Sequence, residues 1–240
     1  MRIDVHFTPA ELDSAALADA TVVVVDVIRA TTSMIEALAA GAKAIFPTAS
    51  TEEAVRLATS LGRDDTLLCG ERKGVKVEGF DLGNSPLEYV PDVVAGKRLV
   101  WSTTNGTGAI ALVQEADRVV LGAFTNLCAV ARAVAEDPHV IVLNAGRQRR
   151  FTWDDGLCAG YLVRELTRRG GDAALNDAAR AALVWAQEIE IGVDTLQRTE
   201  AGQALEGLDL ADDLEICAHV DRHDIVPELR EKALVIRDGG

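Results

Sequence analysis

The sequence predicts an α/β protein: largely parallel sheets covered by helices, arranged as two α/β layers or lobes that meet at the active site. Three observations predict it. Hydrophobic residues make up 48% of the 240 and aromatics only 4%, so the core is built from Val, Leu, Ile and Ala, which suits helices packed on parallel strands. Runs such as "TVVVV" at 21–25 are apolar throughout, as expected where helices cover both faces of a sheet. These runs alternate with Ala- and Leu-rich helical segments that end in glycine, the order of repeated strand–helix units.

The first unit is "TVVVVDVIRATTSMIEALAAGAKAIFPTAS" at 21–50: a strand, a polar junction, a helix closed by Gly41 and the second strand "AKAIFP". The helix "STEEAVRLATSLG" follows, with Ser50 or Thr51 as its cap, Glu53 near the third helical position and Gly62 as its stop. "TLLCGE" is the next strand. From Arg72 to Pro91 the pattern gives way to "RKGVKVEGFDLGNSPLEYVP", rich in Gly, Pro and charge. An irregular stretch of this length inside a domain is usually functional or disordered, and its anchors Val75, Val77, Phe80 and Leu82 argue for order. Its part from Arg72 to Pro86 is expected to wrap the active site, with Asp81, Asn84 and Ser85 facing a ligand or capping a helix at Pro86.

Alternation resumes with strand "RLVWS", helix "GAIALVQEA", strand "RVVLGAF", helix "NLCAVARAVAE", strand "HVIVLNAG" and helix "DDGLCAGYLVRELTRRG". Beyond Gly171 the chain reads as mostly helical, and "ALVIR" is a last strand or the edge of the fold. Residues 1–240 are expected to form a single unit, within which 1–110 and 111–240 are candidate lobes.

Composition limits function. With 24 Lys and Arg against 38 Asp and Glu, the net charge is −14, which argues against nucleic-acid and anionic-membrane partners. An anionic ligand must then be drawn by local Arg and Lys, by helix starts or by a bound metal ion. Cys69, Cys128, Cys158 and Cys217 form no C-x-x-C pair, so they read as reduced, small apolar side chains. The N-terminus is too polar for a signal peptide and no apolar run reaches membrane-spanning length, so the location expected is cytoplasmic. A homodimer is compatible with these features.

In open α/β sheets, ligands bind beyond the carboxyl ends of the strands. The residues there are Asp26, Arg29, Thr31 and Thr32; Glu71, Arg72 and Lys73; Ser102, Thr103, Thr104, Asn105, Gly106 and Thr107; and Asn144, Gly146 and Arg147. Carboxylates at Asp26, Glu71, Asp81, Asp154 and Asp155, without a Cys/His cluster, suit a hard cation such as Mg²⁺ shared with a substrate phosphate. Arg29, Arg72, Lys73 and Arg147 are candidates to neutralise that phosphate. The stretch "STTNGT" at 102–107 has more donors than a helix cap needs, so it is expected to hold an anion, with Gly106 allowing close approach. The plain alternatives are that these threonines only cap a helix, that Asp154 or Asp155 does the same, and that Arg72 and Lys73 form a solvated turn.

The common nucleotide loops, G-x-x-x-x-G-K-[ST] and G-x-G-x-x-G, are absent, as is G-x-S-x-G. Asp26 is followed by Val27 and Ile28, so the D-x-D signature of aspartyl-phosphate enzymes is missing. Asp26 is a candidate nucleophile or metal ligand, the latter favoured. His219 and His223 are four apart but lack the H-E-x-x-H glutamate, and a solvated or capping role suits them better.

Five blocks together carry a resemblance: "DVIRATTS" at 26–33, "GERKGVKVEGFDLGNSPLEY" at 70–89, "STTNGT" at 102–107, "NAGRQRRFTWDDGLCAG" at 144–160 and "DDLEICAHVDRHDIVP" at 212–227. In this order they resemble the 2-phosphosulfolactate phosphatase family of coenzyme M biosynthesis. The resemblance implies Mg²⁺-dependent hydrolysis of (R)-2-phospho-3-sulfolactate, or a related phosphorylated hydroxy acid, to the hydroxy acid and phosphate. Asp26, Arg29 and Glu71 are the expected catalytic residues. The substrate, a small phosphate and sulfonate anion, would be cradled by "RATT", "ERK", Asn84, "STTNGT" and "GRQRR". The family usually has Glu-Asp where this chain has Asp154-Asp155, which shortens one carboxylate. The competing reading is a non-catalytic binding module for a small sulfonate or phosphate.

Overall fold

The computed structural model describes residues 1–148, 150–170 and 172–236; Arg149 of "GRQRR" and Arg237 of "ALVIR" lie outside them. The strands are β1 (Arg2–His6), β2 (Thr21–Val25), β3 (Ala44–Pro47), β4 (Thr66–Arg72), β5 (Val75–Lys76), β6 (Arg98–Ser102), β7 (Arg118–Gly122), β8 (His139–Asn144), β9 (Ala174–Leu175), β10 (Pro227–Arg230) and β11 (Ala233–Ile236). The helices are α1 (Ala30–Ala39), α2 (Thr51–Leu61), α3 (Pro91–Val94), α4 (Gly106–Leu112), α5 (Leu127–Ala133), α6 (Trp153–Gly170), α7 (Asp177–Glu188), α8 (Val193–Gln197), α9 (Glu200–Glu206) and α10 (Asp213–Cys217).

The strands form one sheet in the order β5-β4-β6-β3-β11-β10-β7-β2-β8-β1-β9. Within it, β4, β6 and β3 are mutually parallel, as are β7, β2, β8, β1 and β9. The C-terminal hairpin β10–β11 joins these two halves through antiparallel pairs on each side. β2, from the N-terminal half of the chain, lies between β7 and β8 from the other half.

β2 shows why its run is apolar throughout. Val23 and Val25 belong to the core under α5, α6 and α7, whereas Val22 and Val24 face the core under α1 and α4, and all four are fully buried. α1 packs on β3 and β7, and α4 on β2 and β3, so these two helices span both halves of the sheet. α2 starts with Ser50 Oγ accepting from Glu53 N and ends at Gly62, φ 88°, as its sequence predicts.

Three antiparallel steps reverse the strand sense between the halves, yet one cleft is lined from the carboxyl ends of β4 and β6 and of β2 and β8. Twist accounts for this. At about 20–25° per strand, the steps from β4 to β2 accumulate on the order of 120–150°, which turns opposed carboxyl ends toward each other. The irregular segment is ordered by local anchors. Phe80 is buried with Ala54, Ala58, Leu68 and Val100, and Ser85 Oγ accepts from Leu87 N at the start of the turn at Pro86.

Candidate active site

The cleft, of about 310 Å³, is lined by Asp26, Ile28 and Arg29 after β2, by Glu71 of β4 with Lys73 and Gly74, and by Asn84 of the irregular segment. Thr103, Thr104 and Asn105 after β6 and Gly146, Arg147 and Gln148 after β8 line it as well, with Thr152, Asp154 and Asp155 at the start of α6. Ala201, Ala204 and Leu205 of α9, with Leu208, close it with an apolar wall.

Its floor is a cluster of buried carboxyls. Asp26 is 7% exposed, and Asp154 and Asp155 are each 2% exposed. Burial, then the neighbouring charge of Asp155, pushes the Asp26 carboxyl up to about 8. Burial also lifts Asp155 to about 6, opposed by hydrogen bonds from Val27 N, Thr152 and Gly146 N. Asp154 is raised well above the ordinary carboxylate value by burial and by Asp155. Burial disfavours the charged forms of all three carboxyls, and the charge of Arg29 offsets only part of this at Asp26.

The oxygens differ in their freedom. Asp155 Oδ1 accepts from Val27 N at 2.8 Å, while Oδ2 accepts from Gly146 N at 3.0 Å and Thr152 Oγ1 at 2.8 Å. Glu71 Oε1 accepts from Thr104 N at 2.7 Å, and Oε2 from Gly74 N at 2.7 Å and Thr104 Oγ1 at 3.1 Å. Asp26 Oδ1 accepts from Ala30 N at 3.2 Å, whereas no hydrogen bond reaches its Oδ2 among the described residues. Asp154 Oδ1 is buried and has no partner among them. No group of three or more His, Cys, Asp or Glu side chains among the described residues is arranged to hold a metal ion. Two carboxylates with uncommitted oxygens, Asp26 and Asp154, do fit Mg²⁺, which is commonly held by one or two carboxylates with water and substrate oxygens.

The "STTNGT" turn is used differently from its sequence expectation. Ser102 Oγ accepts from the Arg72 guanidinium at 2.8 Å. Thr103 Oγ1 accepts from Thr107 N at 3.0 Å and Thr107 Oγ1 from Thr103 N at 3.1 Å, a reciprocal closure of the first turn of α4. Thr104 gives both its backbone N–H and its hydroxyl to Glu71. Asn105 Oδ1 accepts from Gln148 N at 3.0 Å, and its backbone N–H and that of Gly106 donate to nothing among the described residues. Gly106 does permit a close approach, but of the protein's own carboxylate: a Cβ there would stand 2.7 Å from Asp26 Oδ2.

A scan against family models matches residues 6–232 to the family described as 2-phosphosulpholactate phosphatase. Curated relatives agree. The chain is 37% identical over 232 residues to a protein of Caldanaerobacter subterraneus subsp. tengcongensis, covering 96% of each chain. It is 36% identical over 244 residues to one of Clostridium perfringens, covering 100% of this chain and 98% of the relative. A Clostridium beijerinckii protein is 34% identical over 233 residues, with 96% and 98% covered. Each relative is named "Probable 2-phosphosulfolactate phosphatase".

This chain belongs to the 2-phosphosulpholactate phosphatase family.

For this family member, several residues expected at the ligand are instead structural. Thr31 Oγ1 accepts from Asp26 N and lies 2.9 Å from both Asp26 O and Gly122 O, and Thr32 Oγ1 donates to Val27 O at 2.8 Å. Both are fully buried, binding the turn after β2 instead of lining the cleft. Arg72 ties β4 to β6 through Ser102 O and Oγ. Asp81 lies away from the cleft, accepting from Leu68 N at 2.7 Å and Arg63 at 2.9 Å, which rules it out as a metal ligand here. Glu71 and Asp155 do reach the cleft, with their oxygens occupied by donors. Asn144 is fully buried and its side-chain amide has no partner among the described residues.

Of the cations, Lys73 and Arg147 line the cleft without a carboxylate partner among the described residues; Arg147 Nη1 donates to Glu200 O at 2.9 Å. Arg29 is 4% exposed and pairs with Asp213 of α10, Nη1 to Oδ2 at 2.6 Å. Sequence reasoning missed Asp213, Thr152 and the α9 wall, and reached Gln148 only as part of "GRQRR". The block "DDLEICAHVDRHDIVP" was the available signal for Asp213, but nothing in it says what the aspartate faces. No helix among the described residues is long and apolar enough to cross a membrane.

Proposed function

We propose that this protein is a Mg²⁺-dependent phosphatase that hydrolyses 2-phospho-3-sulfolactate, or a closely related phosphorylated 2-hydroxy acid, to the hydroxy acid and phosphate. The observation that carries the reading is the buried Asp26–Asp154–Asp155 floor, whose carboxyls are all raised by burial and in which Asp154 Oδ1 is unpartnered among the described residues. Asp26 and Asp154 would hold the metal. Bound there, Mg²⁺ supplies charge neutralisation of the phosphoryl oxygens and orientation of the attacking group.

The chain's own residues do the rest. Asp155, fixed by three donors, keeps the start of α6 against the turn after β2 and so orients both metal-holding carboxylates. Lys73 and Arg147 offer charge to the phosphate, sulfonate or carboxylate of the substrate, and the backbone N–H of Asn105 supplies an uncharged donor. Glu71 holds the two loops that carry Lys73 and Thr104 together. Those cradles match a small ligand with more than one anionic group.

The test is phosphate release from a panel of phosphorylated 2-hydroxy acids. EDTA should abolish it and Mg²⁺ restore it. Tight binding of sulfolactate without phosphate release at any Mg²⁺ concentration would replace the phosphatase by a binding module.

A further inference from the structure

We propose that Asp213 is a positioning residue that sets the orientation of Arg29 toward the anion in the cleft. Asp213 is 1% exposed and its carboxylate joins two distant parts of the chain: Oδ2 accepts from Arg29 Nη1 at 2.6 Å and Oδ1 from Ser85 Oγ at 2.5 Å. Arg29 Nη2 donates to Gly74 O at 2.7 Å, and Gly74 N donates to Glu71 Oε2 at 2.7 Å.

A guanidinium is planar and has five N–H donors. Two fixed contacts at different nitrogens, Asp213 and Gly74 O, define its plane and leave its other N–H groups without a hydrogen bond among the described residues. Arg29 lines the cleft, so these donors are what it offers a ligand. Asp213 also cancels the net charge of Arg29, so the pair contributes direction more than attraction, while Lys73 and Arg147 contribute attraction. Ser85 draws the irregular segment into the same arrangement, since Asn84 beside it lines the cleft.

This inference rests on the anion-binding part of the proposed function and not on turnover, so its test begins with inorganic phosphate as the probe. Calorimetry on Asp213→Asn should show phosphate affinity lowered about ten- to a hundred-fold, the range for losing an outer partner of a site residue. Arg29→Gln should lose a similar amount. The double variant should bind no worse than Arg29→Gln alone, because Asp213 acts through Arg29. Asp213→Glu should not rescue, since one more methylene moves the carboxylate into Arg29 or Ser85.

Ser85→Ala removes one partner and keeps the ion pair, so it should give a smaller loss of the same kind, and it is the variant to read if Asp213→Asn does not fold. Unchanged phosphate affinity in folded Asp213→Asn, or additive losses in the double variant, would overturn the proposal. If the wild type binds phosphate as described but hydrolyses no ester, the phosphatase reading fails and this one stands.

Discussion

Replacing Gly106 by alanine tests whether α4 and the cleft floor are packed as tightly as they look. A methyl carbon there would stand 2.6 Å from Ala30 Cβ and 2.7 Å from Asp26 Oδ2, whereas carbons in contact rest about 3.5–4.0 Å apart. Ala30 Cβ has no torsion by which to move aside, so the first turns of α1 and α4 must part by roughly 1 Å. Overpacking of this kind costs about 1–3 kcal/mol, offset in part by the better helix propensity of alanine, at most about 1 kcal/mol. The larger effect falls on Asp26. A displacement of about 1 Å in a reacting group can cost on the order of 100-fold in kcat/KM.

The assay is urea unfolding together with phosphate release, run beside Gly108→Ala. Gly108 lies two residues further along α4 with nothing within 4 Å of its added Cβ, so that change should stabilise by roughly 0.5–1 kcal/mol and leave the kinetics alone. Wild-type kcat/KM in Gly106→Ala, with Asp26→Asn inactive, would refute the packing argument.

Thr31→Val should cost about 1–3 kcal/mol in urea unfolding, because it strips a buried hydroxyl from Asp26 N and the two carbonyls; any kinetic loss should be in kcat, and a raised KM with unchanged stability would return Thr31 to the ligand. Thr104→Val removes the hydroxyl bond to Glu71 but keeps the backbone one, so roughly 1.5–3 kcal/mol of stability should go while phosphate affinity measured by calorimetry holds. Weaker phosphate binding at an unchanged melting temperature would restore the expectation that this hydroxyl serves the anion. Stability without metal should depend on pH in a set direction. Asp26 and Asp155 keep protons to about 8 and about 6 in the folded protein, against 3.8 for the ordinary group, so the unfolded chain releases its protons first and stability falls as pH rises from about 4 toward 8. In EDTA, Asp26→Asn should flatten the upper part of that fall, and a wild-type profile level from pH 5 to 8 would contradict the burial argument.

The sequence by itself determined the α/β class and the places where chemistry collects. Strands such as β2 are legible because burial on both faces leaves nothing but apolar side chains. Polar junctions such as those after β2, β6 and β8 stand out against them. Short and partly polar strands were not legible: β1, "RIDVH", has its parallel partner at His139–Leu143, and no local pattern encodes a pairing so distant. "ALVIR" was legible as a last strand, but its hairpin with β10 and its place inside the sheet, between β3 and β7, were hidden for the same reason.

Within the site, residue types revealed that carboxylates, guanidinium groups and hydroxyls gather at strand ends, but not which of them would spend their hydrogen bonds on one another. Thr104 meets Glu71 across 33 positions of sequence and Arg29 meets Asp213 across 184. Such pairs exist only once the strands are ordered and twisted. A hydroxyl or guanidinium offers the same donors to a ligand as to a buried carboxylate, and tertiary distance alone decided which of the two received them: Thr31, Thr32, Arg72 and Ser102 were turned inward, while Lys73, Arg147 and the N–H of Asn105 were left for the cleft.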